Sequence, residues 1–114
     1  MAELPQIRIE ILTFEGCPNA EIARDRVRAA LEAEALDAEI CEVEVGSAEC
    51  AQKLRFLGSP SVRVSGRDVE PYTAHAAYGL MCRTYRNGDE VQGAPSVATI
   101  RKALRRRTDL GSEV

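Results

Sequence analysis

The sequence has one histidine, no closely spaced pair among its four cysteines, no excess of positive charge and no long apolar run. Each shortage removes a class of function. Structural zinc sites use paired cysteines or histidines a few positions apart, and this chain offers no such pair. Fifteen basic residues against 18 acidic ones give a formal net charge of -3, so there is no cationic field to hold phosphates and nucleic acid is not an expected partner. No stretch approaches the roughly 18–20 apolar residues that cross a bilayer, and Met1 to Arg8 show no apolar core behind a basic start. The expectation is a cytoplasmic protein with no membrane partner. Repeats, low-complexity tracts and linkers are also missing. The 114 residues therefore read as a single domain, 1–114, with a polar C-terminal tail from about residue 106.

What is present is ordinary globular composition, 45% hydrophobic and 29% charged, enough to build one core. Ile7, Ile9 and Ile11 alternate with polar residues before the segment turns fully apolar, as a strand does on entering a core. Gly16-Cys17-Pro18 interrupts it, and Pro18 suits the first position of a helix that runs to about Leu36 with Ala23, Val27, Ala30 and Leu31 inward. Ala38 to Val45 predicts a second strand, with Cys41, Val43 and Val45 on one face. Ser47 caps a second helix, carrying Ala51, Leu54 and Leu57 and stopping at Gly58. Ser61 to Val64 is a third strand that turns at Gly66 into a short partner at Val69. An extended piece from Met81 to Arg86 leads to an Asn87-Gly88 hairpin turn, and Ser96 opens a last helix with Val97, Ile100, Ala103 and Leu104 buried. The order βαβα, then hairpin strands, then a helix predicts a mixed sheet with helices on both faces, a three-layer α/β/α sandwich.

Chemistry concentrates in the thiols. Cys17 lies where the first strand gives way to the first helix, near unpaired backbone N–H groups and the positive end of the helix dipole, both of which favour the thiolate. The competing reading is a cysteine that only fills a turn. Cys82, with Arg83 and Tyr85 beside it, reads either as a buried structural cysteine or as a second active thiol brought in by a lid formed from residues 70–80. Cys41 reads as core, and Cys50 has no assigned role. His75 is either a solvated loop residue or a base reaching the Cys17 turn. The Arg105–Arg107 run complements the negative end of the last helix.

The strand, Gly16-Cys17-Pro18-Asn19-Ala20, helix, strand, helix, and Ser59-Pro60 before a further strand together resemble the thioredoxin-like superfamily over roughly Gln6 to Leu104. That resemblance implies an active-site turn at Cys17, supported by Gly16, Pro18 and Asn19, with Ser59 and a cis Pro60 packed beside the sulfur. Ala20 stands where the superfamily has its second cysteine, which removes the usual resolving thiol. Phe14–Asn19, Arg55–Pro60 and Tyr78–Tyr85 also resemble small stand-alone bacterial thioredoxin-family proteins, some labelled alkylmercury-lyase-like.

Two classes of function follow. As a thiol-disulfide oxidoreductase the protein would use Cys17 as catalytic nucleophile, with Cys82 or an external thiol such as glutathione resolving the mixed disulfide, and no cofactor. As a soft-metal binding or detoxification protein, in the manner of mercury resistance, it would hold Hg(II), an organomercurial, Cu(I) or arsenite between Cys17 and Cys82. A non-catalytic interaction module is the third reading.

Overall fold

In the first strand the two-residue alternation decides which residues meet which layer of the fold. The computed structural model describes residues 7–71 and 77–112. It contains β1 (Ile7–Thr13), α1 (Ala20–Glu34), β2 (Ala38–Glu44), α2 (Ala48–Leu54), β3 (Ser61–Val64), β4 (Arg67–Asp68), β5 (Tyr85–Asn87), β6 (Glu90–Gln92) and α3 (Val97–Ser112). The main sheet is mixed and four-stranded, in the order β2-β1-β3-β4. β2 runs parallel to β1, whereas β3 is antiparallel to β1 and β4 to β3. No helix among the described residues is long and apolar enough to cross a membrane.

Ile7, Ile9 and Ile11 pack with Val27, Ala30 and Leu31 of α1, Val62 and Val64 of β3, and Ile100 and Leu104 of α3. Leu12, on the opposite parity, joins Val45, Ala51 and Phe56 in a smaller cluster against α2. Burying each such aliphatic or aromatic side chain contributes about 1.5–3 kcal/mol, so the larger cluster carries most of the stability. Arg101 and Arg105 of α3 both bind Glu34 of α1, at 2.7 and 2.9 Å, and staple the two helices beyond the apolar stripe.

Several element boundaries differ from those the sequence predicts. α1 begins at Ala20, with Asn19 as N-cap, so Pro18 precedes the helix and is not its first residue. It ends at Glu34 because Ala35 adopts the left-handed conformation, which lets Leu36 pack against the core. α2 stops at Leu54, well before Gly58. Arg55 is left-handed (φ 56°) and the Phe56 N–H returns to the Ala51 carbonyl at 2.8 Å, a turn that drives Phe56 into the smaller cluster. The short partner of β3 is Arg67–Asp68, one step before Val69, whose own side chain is buried in the larger cluster.

β5 and β6 form a separate two-stranded sheet and do not extend the main one, and Asn87 pairs with Glu90, so the connecting residues are Gly88 and Asp89. Cys41 is half-buried and outside both clusters, because β2 is an outer strand of the sheet. The tail expected from residue 106 continues as helix to Ser112.

Candidate functional site around Ser59

Two stretches of chain converge on one fully buried serine. Ser59 follows Gly58, whose φ of +116° suits a residue without a side chain, and precedes Pro60 across a cis peptide bond. The Ser59 Oγ accepts a hydrogen bond from the Phe14 N–H at 3.3 Å, just beyond the end of β1. The Ser59 N–H donates to the Met81 carbonyl at 2.8 Å, and the Arg83 N–H donates to the Ser59 carbonyl at 2.9 Å. Cys82 thus lies directly opposite Ser59 in a one-residue parallel bridge.

On the first of these stretches, Cys17 sits three residues past Phe14. Its N–H donates to the Phe14 carbonyl at 3.2 Å, and its own carbonyl receives the Ala20 N–H at 3.4 Å. These consecutive turns place Cys17 ahead of the N-cap instead of inside the first helical turn. Cys17 is half-buried between exposed Gly16 and Pro18. The Asn19 side chain makes no capping hydrogen bond and instead lies against Gly93, where a Cβ would sit 2.3 Å from its amide nitrogen.

The second stretch, residues 77–83, forms a strap along the α2–β3 connection. Gln52 donates to the Tyr78 carbonyl at 3.1 Å and the Gly79 N–H to the Phe56 carbonyl at 3.0 Å. Cys82 on this strap is exposed, which excludes the buried structural reading. Turn and strap also share an open cleft of about 410 Å³, lined by Phe14, Glu15, Glu44, Val45, Gly46 and Leu80.

Immediately after Cys82 the polar side chains turn inward. Arg83 binds Asp68 through two hydrogen bonds of 2.7 and 2.9 Å and reaches the Ser61 Oγ at 3.0 Å. The pair is 10% and 8% exposed, so the charges have little water and depend on each other. Burial works against the Arg83 charge, yet hydrogen bonding to Asp68 holds the guanidinium above its ordinary value. Asp68 also accepts the Glu70 N–H at 2.8 Å, and the guanidinium lies 4.5 Å from the centre of the Tyr85 ring. Tyr85 donates its hydroxyl to the Pro60 carbonyl, and burial pushes its phenol well above the usual range, with Arg83 pulling the other way.

Of the residues singled out in the sequence, Cys17, Cys82, Ser59 and Pro60 are thus linked through Ser59, and both cysteines are free thiols. Cys50 is half-buried against the smaller cluster. His75 and the middle of the expected lid lie outside the described residues. Among the described residues no group of three or more histidine, cysteine, aspartate or glutamate side chains gathers as a metal site. Sequence reasoning missed Asp68. Its position in a two-residue strand looks like a surface turn until Arg83, fifteen positions later, arrives to bury it. No family model, curated protein or solved structure matches this chain.

Proposed function

We propose that this chain is a thioredoxin-like thiol-disulfide oxidoreductase in which Cys17 is the nucleophile and Cys82 the resolving thiol. The observation that carries the reading is the double anchoring on Ser59, which ties the Cys17 turn through Phe14 and the Cys82 strap through Met81 and Arg83 to one buried residue. The thioredoxin-like, three-layer reading is supported by α1 and α3 lying in one apolar cluster and α2 in the other.

In the proposed cycle the Cys17 thiolate attacks one sulfur of a substrate disulfide. The S–S bond breaks, one substrate thiolate leaves and takes a proton from water, and a mixed disulfide remains on Cys17. Cys82, having lost its proton to solvent, attacks the Cys17 sulfur and releases the second substrate thiol. The substrate has then gained two electrons and the protein holds a Cys17–Cys82 disulfide. Two molecules of an external thiol such as glutathione restore the reduced protein and become glutathione disulfide. Cys82 on the strap takes the place of the second cysteine absent at Ala20.

The test is mass-spectrometric mapping of cysteine linkages after limited oxidation, repeated after addition of Hg(II). A dominant Cys17–Cys82 linkage supports the proposal. Retention of Hg(II) by the pair without disulfide turnover favours the soft-metal reading, and four unlinked, alkylation-resistant thiols favour the interaction module. Cys17→Ser is expected to abolish mixed-disulfide formation, and Cys82→Ser to leave it intact while preventing its internal release.

A further inference from the structure

The strap's backbone is held at Ser59 and, three and four residues before Cys82, at Phe56 and Gln52, but these contacts alone do not fix the exposed cysteine between them in one position. The adjoining residue supplies the missing restraint. Arg83 is fixed by two short hydrogen bonds to Asp68, by the Ser61 Oγ and by the face of Tyr85. Ser61 in turn donates to the Gly58 carbonyl at 2.6 Å, so the Arg83 anchor rests on the same Gly58–Ser61 backbone that carries the bridge. At Gly58 the two backbones come so close that an added Cβ would stand 3.0 Å from the Arg83 Cβ and 3.2 Å from the Met81 carbonyl oxygen.

We infer that Arg83 and Asp68 are positioning residues for Cys82, a buried clamp that holds the resolving thiol at the height of Ser59 and so sets its effective concentration toward Cys17. This rests on the two-thiol reading proposed above. The clamp touches no substrate. Its chemical effect is entropic: a thiol held in place attacks as an intramolecular group, whereas one on a loose strap loses that advantage, and small misplacements can cost one to two orders of magnitude.

The clamp separates from the fold by choice of variant. Removing Arg83 alone would leave the Asp68 charge buried and unpaired, so the test pairs Asp68→Asn with Arg83→Met. That pair removes both charges, keeps an acceptor for the Glu70 N–H and retains most of the side-chain volume. Wild type and variant are equilibrated in glutathione redox buffers, and the ratio of Cys17–Cys82 disulfide to Cys17–glutathione mixed disulfide is read by mass spectrometry, with circular dichroism and melting as fold controls. The expected result is a fall of about tenfold or more in that ratio, with the rate at which Cys17 first attacks glutathione disulfide within about twofold of wild type. Arg83→Lys, which keeps the charge but not the two-pronged contact, is expected to fall in between.

A paired variant that folds and keeps the wild-type ratio overturns the clamp, as does one that slows the first attack by Cys17 as much as the closure. Should the paired variant not fold, Arg83→Lys decides alone: a fall of about threefold supports the clamp and parity with wild type overturns it. If wild-type protein forms the Cys17–glutathione disulfide but never the internal one, the two-thiol reading itself fails and the clamp with it.

Discussion

The turn that carries Cys17 and the strap that carries Cys82 meet at Ser59 but are held in opposite ways. The turn rests on backbone contacts of 3.2 and 3.4 Å and on an N-cap residue without a capping hydrogen bond. The strap is held by shorter backbone contacts of 2.8 and 2.9 Å and by a buried ion pair immediately beside Cys82. In the proposed cycle, loose restraint suits the thiol that accepts varied partners, and tight restraint suits the one that returns to the same sulfur each time. The contrast also says where substitutions will hurt. Damage to the strap should cost stability, whereas damage to the turn should cost chemistry with little loss of fold.

The largest expected effect comes from breaking the strap's ion pair on one side only. Asp68→Ala leaves the Arg83 guanidinium buried without its partner and should cost about 3–5 kcal/mol in denaturant unfolding. A loss below about 1 kcal/mol would mean that the strap is no better held than the turn. Next comes Gly58→Ala, which combines a φ of +116° with a 3.0 Å approach to Arg83. It should cost about 1–3 kcal/mol and raise the iodoacetamide reactivity of Cys82 as the strap lifts away, while alkylation of Cys17 stays unchanged.

Capping gives a smaller and sharper comparison. Ser47 accepts the Cys50 N–H at 3.0 Å at the start of α2, so Ser47→Ala should cost about 1 kcal/mol. Asn19 makes no such bond, and Asn19→Ala should cost less than about 0.5 kcal/mol if the Cys17 turn is as lightly held as its contacts imply. Thermal melts of the two variants side by side would settle the ordering.

The smallest effect lies far from both thiols. Hydrogen bonds from Arg101 and then Arg105 hold the Glu34 carboxyl below its usual range. A carboxylate with a lowered folded value adds stability that is present above its unfolded value, about 4.3, and is lost as pH falls through the folded one. The melting-temperature advantage of wild type over Glu34→Gln should therefore be constant near neutrality and vanish in acid. An advantage that grew on acidification would contradict the staple.

Much of the frame is legible from periodicity alone. The alternation of Ile7, Ile9 and Ile11, the inward stripe of Ala23, Val27, Ala30 and Leu31, and the Ser47 and Ser96 caps all depend on residues within a turn or two of one another. Each expected feature has its counterpart in β1, α1, α2 and α3. The helix ends are not legible locally, because left-handed Ala35 and Arg55 stop their helices where packing of Leu36 and burial of Phe56 reward it, and no local glycine signals either stop.

The candidate site divides in the same manner. The sequence by itself determined that Cys17 would stand at a strand-to-helix turn, since Gly16 and Pro18 break the strand pattern on either side of it. Only tertiary structure decided that Cys82 would be exposed opposite Ser59, that Cys41 would lie outside the core, and that Asp68 and Arg83 would be buried together. The physical reason is range. Strand and helix preferences are summed over neighbouring residues, whereas the cost of a buried charge is met by a partner whose arrival depends on the path of the whole intervening chain.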